Sequence, residues 1–167
     1  MRGRQGLTAD VADRIEALIT TVSAVVPCGP RVRAALQAVP RHEFVPTLGL
    51  AFFGDGDARV IDRETDPAAW WDAVYSDTSI VTQLDDGATD LASGSGDHTS
   101  SASAPSTVAS LLHLLAAGPG HRVMEIGTGT GWTACLLSHL AGEHGSVTSI
   151  EVGGRYVWLD GPEHGLP

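Results

Sequence analysis

The stretch "RVMEIGTGTGWTACLLSHLAG", at positions 122–142, decides the fold of this chain. Its first five residues have the character of a buried strand, and its last eleven have the apolar spacing of an amphipathic helix. Gly127, Gly129 and Gly131 separate the two elements at alternate positions. The pattern therefore predicts a strand, a glycine loop and a helix, in that order.

The sequence around this stretch completes a β-α-β unit. Strands are predicted at Arg122–Ile126 and Ser146–Val152, with a helix at Trp132–Leu140 between them. Two such strands lie parallel and are joined by a right-handed crossover. The predicted fold class is α/β.

Helices are also predicted upstream of the glycine loop. The apolar residues within Thr8–Val25 fall on one helical face, and Thr8 is expected to cap its start. A second helix is predicted over Arg31–Val39, between Pro30 and Pro40. A third begins near Ala104 and leads up to the first strand of the β-α-β unit.

The sequence between the second and third helices is less regular. The segment "VPRHEFVP" is punctuated by prolines and is expected to be extended, and Ser79–Leu84 is a candidate short strand. The following segment, "DDGATDLASGSGDHTSSAS", is polar and rich in Gly and Ser. Its composition favours a mobile loop.

Composition and charge exclude several classes of function. The chain has 167 residues, and 10 basic against 20 acidic residues give it a net charge of −10. This balance disfavours a nucleic-acid partner or an anionic membrane surface, both of which need clustered cations. No apolar run could span a membrane and no signal sequence begins the chain, so a cytoplasmic protein is expected. No histidines are paired at metal-ligand spacing, and no metal site is expected.

Two common ligands of glycine loops do not suit this one. A Walker A loop requires a lysine, and the sequence contains none. A dinucleotide fingerprint requires a third glycine at the position of Trp132, which disfavours a pyrophosphate site.

The observed pattern is E-x-G-x-G-x-G, beginning at Glu125, and a second acidic residue, Glu151, closes the next strand. An acidic side chain at that strand end can accept hydrogen bonds from ribose hydroxyls. S-adenosylmethionine, a nucleoside without phosphates, fits this pattern. A tight turn without a ligand is the alternative.

These residues resemble motif I of the protein-L-isoaspartate (D-aspartate) O-methyltransferase family. Three upstream segments resemble the same family: "VPRHEFVP" at Val39–Pro46, "VYSDTSIVTQ" at Val74–Gln83 and "SSASAPSTVASLL" at Ser100–Leu112. Motif I is shared by many methyltransferases, so the combination of the four segments carries the resemblance.

The resemblance implies a fold and a reaction. The fold is a Rossmann-like sheet of S-adenosylmethionine-dependent methyltransferases, here partial, with an N-terminal helical segment. The reaction moves the methyl group of S-adenosylmethionine onto the carboxylate of an L-isoaspartyl residue in a protein or peptide. The ester then collapses to a succinimide, which partly reopens as aspartate.

The resemblance also assigns site residues. Ser103 matches the family's active-site serine, which could orient the substrate carboxylate; capping of the following helix by Ser103 or Ser106 is the alternative. The expected cofactor-binding residues are Glu125, Gly127, Thr128, Gly129, Gly131 and Glu151.

Two departures from the family pattern leave other functions open. The polar loop before Ser103 is longer than in the housekeeping enzymes, which suggests an aspartate methyltransferase of ribosomal-peptide maturation as an alternative. The tail at 153–167 resembles no family element, so the chain is expected to be C-terminally truncated, poorly stable and weakly active, or an inactive S-adenosylmethionine-binding remnant. The resulting division is an N-terminal segment (1–100), a cofactor-binding core (101–152) and this tail.

Overall fold

A computed structural model describes residues 3–54, 57–151 and 156–159 of the chain. Five α-helices and seven strands are described. The helices are α1 (Gly3–Ser23), α2 (Pro30–Ala38), α3 (Pro67–Val74), α4 (Pro105–Leu115) and α5 (Trp132–Ala141). The strands are β1 (Leu48–Phe52), β2 (Ala58–Asp62), β3 (Ser79–Leu84), β4 (His98–Ala102), β5 (Arg122–Ile126), β6 (Ser146–Ile150) and β7 (Tyr156–Leu159).

The strands form two sheets. The first has the order β2-β1-β3-β4, and all its neighbours are antiparallel. The second has the order β5-β6-β7. Strands β5 and β6 pair in parallel from Arg122 opposite Ser146 to Ile126 opposite Ile150, which confirms the predicted β-α-β unit. Strand β7 pairs antiparallel with β6.

A shared apolar core joins the helices to both sheets. Trp70 on α3 is completely buried, and its indole N–H donates to the carbonyl of Pro46 at 2.9 Å. This arrangement buries a large aromatic surface without leaving its polar atom unpaired. The buried apolar residues come from all five helices and from strands of both sheets, for example Ile19, Leu36, Trp70, Ile80, Leu112, Leu136 and Val147.

Several element boundaries agree with the sequence prediction, and others do not. The predicted strands Ser79–Leu84 and Arg122–Ile126 have these bounds in the structure. Helix α1, however, begins at Gly3, so Thr8 lies inside the helix and the predicted cap is wrong. The "VPRHEFVP" segment is not simply extended, because Arg41–Glu43 forms a 3-10 helix.

The polar segment after β3 is structured, contrary to the prediction of a loop. The carboxylate of Asp85 accepts a hydrogen bond from the Asp97 amide at 2.9 Å and another from the Thr89 hydroxyl. Two 3-10 turns follow, and β4 then pairs with β3 with an irregular register between Val81 and Leu84. Polar residues form this hairpin because their partners are local side chains and the neighbouring strand.

The predictions for the end of the chain fall only partly within the described residues. The predicted second strand extends to Val152, which lies outside the described residues, and β6 ends at Ile150. Of the tail at 153–167, only Tyr156–Leu159 are described. Among the described residues, none of the helices combines the length and the apolarity needed to cross a membrane.

Candidate functional site

The glycine loop connects the end of β5 to the start of α5. Gly127, Gly129 and Gly131 have φ angles of 89°, 53° and 86°, a left-handed conformation that favours glycine. The Gly131 amide donates to the Thr128 carbonyl at 2.9 Å, which closes the turn. A Cβ atom built on Gly127 would meet no atom within 4 Å, so this side of the loop is open to a ligand.

Glu151 lies beside the loop, directly after β6. Its carboxylate accepts a hydrogen bond from the Gly129 amide at 2.9 Å. The two residues are 22 positions apart, and the parallel pairing of β5 and β6 brings them together. An ionised carboxylate only accepts hydrogen bonds and has about four acceptor positions, so it is the type of group that binds the hydroxyl groups of a ligand.

A chain of hydroxyl groups fixes the base of the loop. The buried Ser149 hydroxyl donates to the Glu125 carboxylate, and it lies 2.7 Å from the Thr128 hydroxyl. Burial raises the pKa of the Glu125 carboxyl, and the bond from Ser149 offsets part of that rise. Ser149 is absent from the sequence prediction, because an alternating strand pattern does not distinguish a bonded serine from a solvated one.

Strand β4 forms a wall against the loop. A Cβ atom built on Gly129 would lie 3.5 Å from the Ser101 carbonyl oxygen and 3.7 Å from the Ser100 hydroxyl. Ser100 in turn accepts a hydrogen bond from the Thr82 hydroxyl at 3.2 Å. The polar segment predicted to be mobile therefore supplies a fixed edge of the site.

Ser103 directly follows this wall and is exposed. The structure does not support its role as a helix cap, because the N-cap of α4 is Ala104 and makes no side-chain capping bond. The Ser106 amide instead donates to the Asp77 carboxylate at 2.8 Å. Asp77 comes from the segment before β3, so a distant residue performs the capping that was considered for the serines.

Arg41 is the main site residue that the sequence analysis missed. It is only 1% exposed, and its guanidinium donates to main-chain carbonyls, including that of Ser103 at 3.0 Å. Burial lowers the pKa of Arg41 to about 10, against an opposing effect of Asp77. The only signal in the sequence is an arginine placed between the apolar residues of "VPRHEFVP".

The site thus joins two segments of different sheets. The glycine loop with Glu151 forms one side, and the β4–α4 segment with Ser103 forms the other. Among the described residues, no group of three or more His, Cys, Asp or Glu side chains is arranged to hold a metal ion. The arrangement suits a nucleoside bound next to a second substrate. It also suits a reaction whose rate depends on how the two are oriented.

Comparisons with known proteins point to one family. A sequence model described as protein-L-isoaspartate(D-aspartate) O-methyltransferase matches residues 60–158. Curated relatives named protein-L-isoaspartate O-methyltransferase include one from Methanopyrus kandleri, 32% identical over 72% of this chain and 38% of the relative. Another, from Burkholderia pseudomallei, is 30% identical over 87% of this chain and 35% of the relative.

A solved structure titled protein-L-isoaspartate O-methyltransferase has a similar fold. It superposes with a TM-score of 0.56 at 27% sequence identity, over 82% of this chain and 33% of that chain. The likeness confirms the predicted partial methyltransferase fold. The matched part of this chain corresponds to about two fifths or less of the length of these proteins.

Proposed function

The chain belongs to the protein-L-isoaspartate(D-aspartate) O-methyltransferase family, and from this premise we propose its activity. It transfers a methyl group from S-adenosylmethionine to the carboxylate of an L-isoaspartyl residue in a protein or peptide. One observation carries the proposal: Gly129 is bonded to Glu151 on one side and lies against Ser101 of β4 on the other. The cofactor loop therefore adjoins the segment that bears Ser103.

The residues of the loop fit S-adenosylmethionine. Glu151 would hold the ribose hydroxyls, since its carboxylate accepts hydrogen bonds and is already placed at the loop. Gly127, Gly129 and Gly131 would let the main chain approach the ligand, because glycine has no side chain. Thr128, whose hydroxyl lies 2.7 Å from that of Ser149, would add its main chain to the same loop. Glu125, held by Ser149, would contribute a second carboxylate near the base of the loop.

The reaction depends more on the relative position of the two reactants than on acid–base groups. When bound, the cofactor supplies an electrophilic methyl group on a sulfonium. The substrate carboxylate is ionised at neutral pH, so its methylation would require no proton transfer and no general base in the site. In the proposed mechanism the Ser103 hydroxyl donates to the carboxylate and aligns it, and the walls of the site orient the two reactants.

The test is a methyl-transfer assay on the purified chain. Radiolabelled S-adenosylmethionine is supplied with two peptides of the same sequence, one carrying isoaspartate and the other aspartate. We expect label only in the isoaspartyl peptide, as a base-labile ester. Label confined to the aspartyl peptide, or cofactor binding by calorimetry without transfer to either peptide, would overturn the proposal.

A matched pair of serine variants tests the site within this assay. Ser103→Ala should lower kcat/KM roughly ten- to a hundredfold, the range for losing a hydrogen bond to a charged group. Ser106→Ala is the control, because Ser106 lies nearby in the first turn of α4 and the contact described for it is made by its main-chain amide. Equal losses in both variants would remove Ser103 from the mechanism.

A further inference from the structure

We propose that Arg41 is a positioning residue for methyl transfer: its buried guanidinium fixes the main chain of the Ser103 segment relative to the glycine loop. The inference rests on the proposed function, since that function gives the position of Ser103 its importance. Arg41 itself lies behind the site and does not touch the reacting atoms.

The first observation is the set of acceptors around the guanidinium. Nη2 donates to the carbonyls of Thr78 at 2.9 Å, Ser103 at 3.0 Å and Ala102 at 3.2 Å. Nη1 donates to the carbonyls of Val74 at 2.9 Å and Ser76 at 3.4 Å. One side chain thus bonds the end of α3, the approach to β3 and the junction between β4 and α4.

The second observation is the contact with the other half of the site. The guanidinium carbon of Arg41 lies 5.4 Å from the ring centroid of Trp132, in a cation–π arrangement. Trp132 directly follows Gly131 and donates its indole N–H to the Val39 carbonyl at 3.0 Å. Arg41 therefore contacts both the Ser103 segment and the first residue after the glycine loop.

The third observation concerns charge. Among the residues that the structure describes, the hydrogen-bond acceptors of Arg41 are all main-chain carbonyls, and no carboxylate lies within salt-bridge distance of its guanidinium. The guanidinium stays cationic at neutral pH, with the Asp77 carboxylate favouring that form. A buried cation bonded to the Ser103 carbonyl favours an anion nearby, and the substrate carboxylate is such an anion.

Arginine suits this role better than lysine. Its planar guanidinium presents the four N–H donors of Nη1 and Nη2 in a fixed geometry to these carbonyls, while Nε has no partner among the described residues. A lysine ammonium is a compact charge with three donors. Arg41→Lys therefore keeps the charge but cannot bond five carbonyls from three segments. Arg41→Met removes both the charge and the bonds.

The experiment combines hydrogen exchange with kinetics on the full chain. In Arg41→Lys, we expect the amides of the non-proline residues in 100–106 to exchange at least about tenfold faster, while those of β5 keep the rate of the unsubstituted chain. The kcat for the isoaspartyl peptide, expressed per folded molecule, should fall about tenfold, and the dissociation constant for S-adenosylmethionine should stay within threefold. Arg41→Met should in addition raise the KM for the peptide, because the positive charge is lost.

Arg31→Lys is the matched control. Arg31 also donates to a main-chain carbonyl, that of Leu140 at 2.6 Å, but it does so at the far end of α5. We expect this variant to lower stability and to leave both the exchange of 100–106 and kcat unchanged.

Two outcomes would overturn the inference. One is exchange that rises evenly along the chain in Arg41→Lys with kcat per folded molecule unchanged, since a purely structural residue behaves so. The other is unchanged exchange at 100–106. If the unsubstituted chain shows no methyl transfer, the proposed function fails, and the exchange measurements still decide whether Arg41 fixes the Ser103 segment.

Discussion

Strands β3 and β5 contain similar apolar residues, but the structure covers only one of them. In β3, Ile80, Val81 and Leu84 are all buried. In β5 no residue is fully buried, and Met124 and Ile126 are 63% and 83% exposed. Strand β3 lies between β1 and β4, whereas β5 is at the edge of its sheet.

The sequence of a strand and its coverage by the rest of the fold are therefore separate properties. The β5 sequence, RVMEI, places apolar side chains on both faces, which is typical of strands in parallel sheets that are covered on both sides. The described residues leave the face with Met124 and Ile126 open. Another polypeptide can pair with an edge strand, and it can also cover an open apolar face.

The largest effect is expected from truncating the covered strand. Ile80→Ala should lower the free energy of unfolding by about 3 kcal/mol, because a completely buried side chain leaves a cavity. The cavity would lie over Gly49, since a Cβ atom built there comes within 2.6 Å of the Ile80 γ2 methyl. Urea unfolding followed by circular dichroism measures the loss.

The matched variant in the open strand is Ile126→Ala. It removes the same atoms from an exposed position, and we expect a loss below about 1 kcal/mol. A loss as large as that of Ile80→Ala would contradict this expectation, because it would show that Ile126 is covered in solution. The loss would then depend on protein concentration if a second copy provides the cover.

The next prediction tests how much the stability of the β5-β6-β7 sheet depends on the main-chain conformation of its glycines. Gly127→Ala should cost about 1–2 kcal/mol in stability, since an L-residue is strained at a φ of 89°. It should also weaken S-adenosylmethionine binding more than tenfold, because the new methyl group points into the open side of the loop. Calorimetric titration measures the affinity.

Gly120→Ala is the control for this prediction. Gly120 has a φ of 77° and an equally open surrounding, but it lies before β5 and away from the glycine loop. We expect a similar loss of stability with unchanged affinity. If both variants lose affinity alike, strain anywhere in this sheet suffices and the loop has no special role.

A smaller effect is expected at the start of α4, on the covered side of the molecule. Asp77→Ala should cost about 1 kcal/mol, because it removes the acceptor for the Ser106 amide. Asp66→Ala should cost about the same, since Asp66 caps α3 through the Ala69 amide at 3.0 Å. Methyl transfer should fall only in Asp77→Ala, and thermal unfolding beside the peptide assay separates the two effects.

The smallest effect is a pH dependence that comes from β5 itself. Burial raises the pKa of Glu125 above its ordinary value of 4.5, so the folded state holds this proton more tightly than the unfolded state. Stability should therefore decline as the pH rises from 4.5 through the raised pKa, and it should level off above it. Glu125→Gln should lack this component, which urea midpoints measured across the acidic range in both proteins would show. Identical pH profiles would contradict the assignment.

The sequence predicted those elements whose signals are local. The bounds of β3 and β5 could be read because short apolar runs are flanked by residues typical of turns. Strand β4, with the sequence HTSSA, could not be read, because its stability comes from pairing with β3 and from the Asp85 carboxylate. The predicted start of α1 was wrong because a possible capping residue at Thr8 is a weaker signal than helix propensity that continues through it.

The residues of the candidate site also fall into those with local sequence signals and those without. The glycines and Glu151 follow from spacing, since a parallel β-α-β unit brings the ends of its strands together. Arg41 and Asp77 do not, because their partners are 29 or more positions away in the chain. Such contacts depend on how the two sheets are placed, which a single sequence does not display.

The bond between the Trp132 indole and the Val39 carbonyl has a consequence for the order of folding. It joins residues 93 positions apart, whereas the β5–α5–β6 unit pairs residues only 24 apart. Closing the longer loop costs more chain entropy before any contact compensates for it. We expect the glycine loop to form early and locally, and the site to be completed only in the last step, when Trp132 docks against the N-terminal half.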